Sequence, residues 1–120
     1  MDTPKIHESE FRFCEILWAN EPVNSTELVR LCKEKLGWSK ATTYTVIRRL
    51  CERGVCRSEN AVVTSLVSKE EAEVSEIDEL MTKKFGGSLP AFIAAFARHE
   101  KLSDADIAEL EAMIRAKKGE

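Results

Sequence analysis

The sequence predicts a mainly α-helical protein with one small β-hairpin, organised as two domains at residues 1–67 and 68–120. Three observations favour this class. Apolar side chains recur every three or four residues through most of the chain, which is the helical period. After Gly54, two short segments rich in β-branched residues flank a turn-prone tripeptide. From Ser68 onward the sequence becomes more acidic and the helical period returns.

The first two predicted helices are short and amphipathic. Residues 8–19 have one apolar stripe, made of Phe11, Cys14, Leu17 and Trp18. Pro22 follows this helix and ends it. Asn24 suits the N-cap of the second helix, in a loose form of the capping box with Glu27, and Gly37 ends that helix.

The third predicted helix, at about residues 40–53, is the most informative element of the sequence. Ser39 suits its N-cap, because a hydroxyl can accept a hydrogen bond from the first turn, and Gly54 suits the left-handed residue that ends it. Its inner face consists of Thr43, Val46, Ile47 and Leu50. Its outer face is polar and basic, and Lys, Thr, Tyr and Arg match the chemistry of a DNA major groove. An ordinary solvated helix face is the alternative.

Helical geometry assigns two roles to this outer face if the helix binds DNA. The residues expected at base edges or groove walls are Ala41, Tyr44, Thr45 and Arg48. The residues expected mostly at phosphates are Lys40, Thr42, Arg49 and Arg57. Thr42 and Arg49 also suit roles within the fold, namely helix capping and pairing between helices.

Two short helices joined by a Gly-containing turn, the second with a polar outer face, predict a helix-turn-helix arrangement. Residues 55–57 and 61–67 then predict a β-hairpin with its turn at residues 58–60. A hairpin after a recognition helix is the wing of a winged-helix domain. Arg57 is the one basic residue of this predicted wing and Glu59 lies at its tip, so we expect weak wing contacts to DNA.

Three further helices are predicted after the hairpin, and Ser68, Ser88 and Ser103 suit their N-caps. The segment from Leu89 to Ala97 is apolar on nearly every side, so it must be buried. A second copy of the chain is the simplest source of cover, and a twofold dimer presents two recognition helices to a palindromic site. A compact single-chain extension is the alternative. The residues expected in the dimerisation arm are Leu80, Met81, Phe85, Leu89, Phe92, Ile93, Phe96, Ile107, Leu110 and Ile114.

The charge distribution and the motifs absent from the sequence limit the classes of function that the chain can have. The chain has 18 basic and 21 acidic side chains, but residues 38–57 hold five basic residues and one acid, which is a local basic patch. The absence of a long apolar segment and of a signal-peptide pattern predicts a cytoplasmic protein without membrane insertion. No phosphate loop, metal-ligand cluster or nucleophile motif occurs in the sequence, so we expect no enzyme, cofactor or metal.

The four cysteines, Cys14, Cys32, Cys51 and Cys56, form no CxxC pair. Buried reduced thiols are the default interpretation in a cytosolic chain. A thiol sensor made of Cys51 and Cys56 is the alternative, because these two residues flank the end of the third helix.

Several short motifs in a fixed order identify a family resemblance that covers nearly the whole chain. They are Glu10, Leu17-Trp18, Trp38-Ser39, Thr42, Thr45, Arg49-Leu50, Gly54, Phe85-Gly86-Gly87-Ser88-Leu89, Phe96, and Leu102-Ser103 with Ile107, Glu109 and Leu110. By these motifs the chain resembles the penicillinase and methicillin-resistance repressor family of bacterial winged-helix regulators. The resemblance implies a homodimer with an N-terminal winged helix and a C-terminal dimerisation arm, which represses a promoter by binding a dyad operator.

The resemblance also implies an upstream membrane sensor-protease that triggers cutting of the arm and release of DNA. The family's cleavage junction is Asn-Phe, where this chain has Ala95-Phe96, so the release mechanism stays open. The family commonly has Pro and then a basic residue after Trp-Ser, where this chain has Lys40 and Ala41. The copper-responsive branch has a C-terminal Cys-x-Cys pair, whereas this chain has no cysteine after Cys56, so copper sensing is not implied.

The sequence therefore predicts a dimeric transcriptional repressor that binds a double-stranded DNA operator. The alternative is a winged-helix module that binds proteins without touching DNA, which the acidic balance of the chain and its poor wing favour.

Overall fold

The computed structural model describes residues 3–119, so Met1, Asp2 and Glu120 of the two predicted domains lie outside the described residues. In chain order the elements are α1 (Glu8–Asn20), β1 (Val23–Asn24), α2 (Ser25–Leu36), α3 (Lys40–Arg53), β2 (Cys56–Glu59), β3 (Val62–Ser65), α4 (Lys69–Phe85), α5 (Leu89–His99) and α6 (Asp104–Lys118). The predicted mainly helical class with a small hairpin is confirmed. The chain forms two compact units, one ending at Ile77 and the other beginning at Asp78, so the boundary falls inside α4.

Local capping defines the ends of α3 as predicted. The Ser39 side chain accepts a hydrogen bond from the backbone N–H of Thr42 over 3.1 Å. At the other end Gly54 has φ 83°, the left-handed conformation that ends a helix at low steric cost in glycine. The predicted capping box of α2 is wrong in its second half. Asn24 does accept from the N–H of Thr26, but Glu27 pairs with the side chain of Arg30.

The hairpin belongs to a three-stranded antiparallel sheet with the strand order β1-β3-β2. Strand β1 has only two residues, too few for an alternating pattern, so the sequence did not reveal it. The predicted turn at residues 58–60 is also corrected. Glu59 pairs with Val62, which leaves Asn60 and Ala61 as a two-residue turn with φ 52° and 64°. Two left-handed residues match the turn type that suits the twist of a hairpin.

The core of the first unit lies where α1, α2 and α3 meet the inner side of the sheet. Its fully buried large side chains include Phe13, Leu17, Leu28, Leu50, Val55 and Val63. Trp38 stacks on Phe13 at a centroid distance of 6.2 Å, and it thereby packs the junction between α2 and α3 against α1. The indole N–H of Trp18 donates to the carbonyl of Val67 over 2.9 Å, which fixes the chain just before α4.

The second unit has well-capped helices and an exposed apolar surface. Ser88 caps α5, and Ser103 forms a reciprocal capping box with Asp106 at the start of α6. The ring of Phe92 contacts that of Phe85 edge-on, with their centroids 5.4 Å apart, and its centroid lies 6.3 Å from that of Phe96. No described residue after Ala72 is buried. Among residues 3–119, no helix is both long and apolar enough to cross a bilayer.

Candidate nucleic-acid interface

Helix α3 turns its predicted outer face to solvent. Thr43, Val46, Ile47 and Leu50 are buried in the core on the other side, so the orientation of the helix is fixed by packing. The exposed residues of the outer face are Lys40, Ala41, Thr42, Tyr44, Arg48 and Arg49. Thr45 is half-buried at the edge of this face. The structure thus brings seven of the eight predicted contact residues together on one helix.

The basic side chains of α3 are available to an anion. Within the described part of the chain, residues 3–119, Lys40, Arg48 and Arg49 form no ion pair, and the first turn of α3 contains no acidic residue. An unpaired exposed cation exchanges only water and counterions when it binds a phosphate, and the release of those counterions favours binding. We therefore identify this face as the candidate interface.

Arg57, the eighth predicted contact residue, lies on β2 rather than on α3. Its guanidinium lies 4.0 Å from the carboxylate of Glu59, two residues along the same strand. Both side chains are well exposed, so this ion pair contributes little energy. The nearby carboxylate nevertheless reduces the positive potential of the hairpin.

Tyr44 connects the interface to two other elements. Its side chain is 38% exposed, and its hydroxyl lies 3.4 Å from the hydroxyl of Ser25, the first residue of α2. The backbone N–H of Ser25 donates to the carbonyl of Ala61 in the hairpin turn over 2.7 Å. Helix α3, the start of α2 and the hairpin turn are therefore joined through one buried serine.

Thr42 has the capping role that the sequence left open. The hydroxyl of Ser39 donates to the hydroxyl oxygen of Thr42 over 3.0 Å, so the two side chains close the first turn of α3 together. Thr42 remains exposed, and its position at the helix start still allows a contact to phosphate.

The pairing between helices that suited Arg49 is made instead by Arg53, one turn further along α3. The guanidinium of Arg53 contacts the buried carboxylate of Glu10 in α1 and donates to the carbonyl of Lys5 over 2.8 Å. Burial raises the pKa of Glu10, but the Arg53 guanidinium and the N–H of His7 together lower it more, so the net pKa is below its ordinary value. Arg49 is thereby left to solvent.

The roles of Ser25, Glu10 and Arg53 depend on tertiary contacts and were not predictable from the sequence. Ser25 meets Tyr44 across 19 positions and Glu10 meets Arg53 across 43, and no local pattern encodes such pairs. A partial signal existed for Glu10, because it lies at the third position of α1 and completes a capping box with His7.

In the range 3–119, no group of three or more His, Cys, Asp or Glu side chains is arranged to hold a metal ion. The exposed face of α3 offers cationic side chains and a tyrosine, and these groups suit contacts to the backbone and the base edges of a duplex.

The order of helices and strands, with a cationic helix exposed before a β-hairpin, defines a winged helix-turn-helix protein. A family model described as "Penicillinase repressor" matches residues 6–116. The chain belongs to this family of repressors, which confirms the resemblance identified in the sequence.

Individual relatives agree with the family. A penicillinase repressor of Bacillus licheniformis is 22% identical over 96% of this chain and 93% of its own length. A penicillinase repressor of Staphylococcus aureus is 24% identical over 92% of this chain and 90% of its own length. A 16.5 kDa protein of Latilactobacillus sakei without an assigned function is 31% identical over 97% of this chain and 82% of its own length. The relatives with assigned functions are repressors, in agreement with the expectation that the chain is not an enzyme.

A solved structure supports the fold. It is the solution structure of Bacillus licheniformis BlaI, in its monomeric form and in complex with the blaP half-operator. Its TM-score is 0.51 at 22% sequence identity, and the match covers 59% of this chain and 93% of that chain. At this identity the likeness establishes the winged-helix fold alone.

Proposed function

We propose that the chain represses transcription by binding a palindromic DNA operator as a homodimer, with α3 as the recognition helix in the major groove. The observation that most supports this proposal is the solvent-facing side of α3, where Lys40, Arg48 and Arg49 have no ion-pair partner among the described residues 3–119. The complex of the related BlaI fold with a half-operator supports DNA as the ligand of the same fold here.

The proposed contacts follow from position along α3. Tyr44 and Arg48 lie one turn apart on the exposed face, so they are placed to meet the same stretch of base edges. Ala41 and Thr45, also one turn apart, offer methyl groups for contact with thymine. The proposed phosphate contacts are Lys40, Thr42, Arg49 and Arg57.

The exposed apolar surface of the second unit supports the homodimer. The predicted dimerisation residues include Leu89, Ile93 and Phe96 on α5 and Ile107, Leu110 and Ile114 on α6, all of which are exposed. Covering such side chains with a second copy removes apolar area from water, the main favourable term in association. Two copies related by a twofold axis then present two recognition helices to two half-sites.

In this proposal the protein acts in the cytoplasm, together with its operator. An upstream membrane sensor-protease is part of the same proposal, because the resemblance to this family implies one. The Ala95–Phe96 bond, at the position of the family's cleavage junction, lies inside α5, so local unwinding must precede cleavage there. Mass analysis of the chain recovered from induced and uninduced cells identifies any cut at this bond.

Selection of bound duplexes from a random pool is the experiment that tests the function. The expected result is enrichment of a sequence with dyad symmetry, whose affinity falls by about 10³-fold or more between about 50 and 200 mM salt. Replacement of both Lys40 and Arg49 with Gln removes two phosphate contacts per chain and flattens this salt dependence. Failure to enrich any duplex, with a protein partner recovered instead, favours the alternative interaction module.

A further inference from the structure

Two cysteine side chains meet where the recognition helix joins the hairpin. Cys51 lies in the last turn of α3 and Cys56 is the first residue of β2, and their sulfur atoms are 3.5 Å apart. Both residues are free thiols; Cys51 is half-buried and Cys56 is buried. The contact arises because the chain reverses at Gly54 and the N–H of Val55 donates back to the carbonyl of Leu50 over 2.8 Å.

We propose that Cys51 and Cys56 form a reversible disulfide in response to a hydroperoxide and thereby report oxidation to the recognition helix. In the first step the sulfur of Cys51 attacks one peroxide oxygen, the O–O bond breaks, and Cys51 becomes a sulfenic acid while the other oxygen leaves as water or an alcohol. In the second step the sulfur of Cys56 attacks the sulfenic sulfur, the S–O bond breaks, and water leaves with the proton from Cys56.

The order of the two steps follows from burial. Cys51 is accessible from solvent, so it meets the peroxide first. Burial and the nearby Cys51 raise the pKa of the Cys56 thiol, so Cys56 does not react first with the peroxide. Cys56 is the resolving residue because its sulfur already lies 3.5 Å from that of Cys51. Cys14 and Cys32 are both buried, and burial raises the pKa of Cys14 to about 12, which makes a competing reaction there slow.

The disulfide requires a small local movement. An S–S bond is about 2.0 Å long, so the two sulfur atoms must approach by about 1.5 Å from their present separation. We expect closure of this gap to shift the last turn of α3 relative to β2. Under the proposed function, on which this consequence depends, the displacement disturbs base contacts that need positional precision within about 0.5 Å.

The chain offers a direct test by peptide mapping. Trypsin cleaves after Arg49, Arg53 and Arg57, so Cys51 and Cys56 fall on the separate peptides 50–53 and 54–57. The full chain is treated with hydrogen peroxide, its remaining thiols are alkylated, and it is digested without reductant. The expected product is these two peptides joined by a disulfide, which dithiothreitol separates.

Matched variants assign the roles of the two sulfur atoms. Cys51→Ser abolishes the linked peptides, whereas Cys32→Ser, which changes a buried cysteine outside the pair, leaves them intact. Cys56→Ser leaves a sulfenic acid on Cys51 that dimedone labels. If Cys56→Ser does not fold, the comparison of Cys51→Ser with Cys32→Ser still decides the question. Absence of the linked peptides, or a link from Cys56 to Cys14 instead, overturns the proposal.

Duplex binding provides the second readout. We expect peroxide to weaken binding of the chain to its selected duplex by about tenfold, with recovery in dithiothreitol and no change in Cys51→Ser. A linked chain whose affinity equals that of the reduced chain overturns the reporting role. A reduced chain that binds no duplex contradicts the proposed function, and the linked peptides still test the disulfide on their own.

Discussion

At the scale of single residues, Arg48 and Arg49 allow the sharpest test of the interface because they are adjacent, equally charged and exposed. We predict that Arg48→Ala lowers affinity by about 1–3 kcal/mol through one base pair of the operator, since a guanidinium bidentate to guanine is specific. Arg49→Ala should weaken all duplexes alike and reduce the salt slope by about one unit per site. Fluorescence anisotropy on duplexes with single base changes measures both effects.

Arg98→Ala is the control for this pair, because it removes an exposed arginine from α5 rather than from the interface. It should change neither the affinity nor the base preference. If Arg48→Ala weakened the binding of every duplex equally, Arg48 would be a phosphate contact and not a base contact.

The contact between Glu10 and Arg53 predicts a pH-dependent contribution to stability. The pKa of Glu10 is lowered in the folded chain, so its stabilisation is present above the unfolded pKa of about 4.3 and is lost as the pH falls through the folded value. We predict that Glu10→Gln lowers the free energy of unfolding by about 1–2 kcal/mol at neutral pH, and by much less once the pH is below the lowered pKa of Glu10 in the folded chain. Urea unfolding at both pH values measures the difference.

Glu15→Gln is the matched control on the same helix, because Glu15 is exposed. It should change stability little at either pH. A destabilisation by Glu10→Gln that persists unchanged in acid would show that packing, rather than the charge of Glu10, stabilises the fold.

The role of a residue in the fold could be predicted from the sequence where a periodic or capping pattern determines that role. The inner face of α3 and its caps at Ser39 and Gly54 depend on neighbours within a few positions, so the sequence contained them. The partner of Glu10 depends on how α1 and α3 pack, which no local pattern contains. The sequence offered pairing between helices as an alternative role for Arg49, and the structure gives such a contact to Arg53.

At the scale of elements, the backbone conformation of the second residue in the hairpin turn can be tested by substitution. Ala61 has φ 64°, a conformation that disfavours residues with a Cβ atom. We predict that Ala61→Gly raises the free energy of unfolding by about 0.5–1 kcal/mol, because relief of strain exceeds the entropic cost of glycine. Thermal or urea unfolding of the full chain measures the change.

Gly54→Ala is the converse control, because it adds a Cβ atom at a position with a left-handed conformation. Gly54 has φ 83°, and an added Cβ atom meets nothing within 4 Å, so backbone conformation alone sets the cost. This variant should lose about 1 kcal/mol. Destabilisation by both substitutions would contradict the left-handed conformation of Ala61.

The existence of every helix was predicted, whereas the details of the sheet were not. Helices depend on a period that extends over many residues and on caps that lie beside it. The turn position depends on which residues of β2 and β3 pair, and Glu59 pairs with Val62 in a sheet that β1 completes from a distant part of the chain. A two-residue strand has no period, so only the tertiary structure defines it.

At the scale of the whole molecule, the sequence indicated the apolar helices of the second unit but did not identify what covers them. Apolar periodicity predicts which faces avoid water and leaves open whether the same chain or another one provides the cover. Within one chain none of the described residues from 73 to 119 is buried, and the proposed second copy is what would cover them. Oligomeric state is therefore the property on which the remaining prediction depends.

Ile114 is the most suitable position for testing the dimer, since its side chain is 61% exposed on α6 and its replacement costs the single chain little packing. We predict that Ile114→Asp shifts the chain from dimer to monomer in sedimentation velocity at a concentration where the unchanged chain is dimeric. The buried charge that a dimer would then contain is costly to desolvate. Ala112→Asp introduces the same residue on the opposite face of α6 and should leave the dimer intact.

The DNA readout separates loss of dimerisation from loss of folding. An Ile114→Asp monomer with an intact α3 should bind a single half-site as well as the unchanged chain does, because each half-site is contacted by one recognition helix. Its affinity for the full palindrome should fall by about 10²-fold or more, since the second half-site is no longer bound at the high effective concentration that dimerisation provides. A variant that sediments as a monomer yet binds the full palindrome unchanged would mean that the exposed surface of α5 and α6 has another partner.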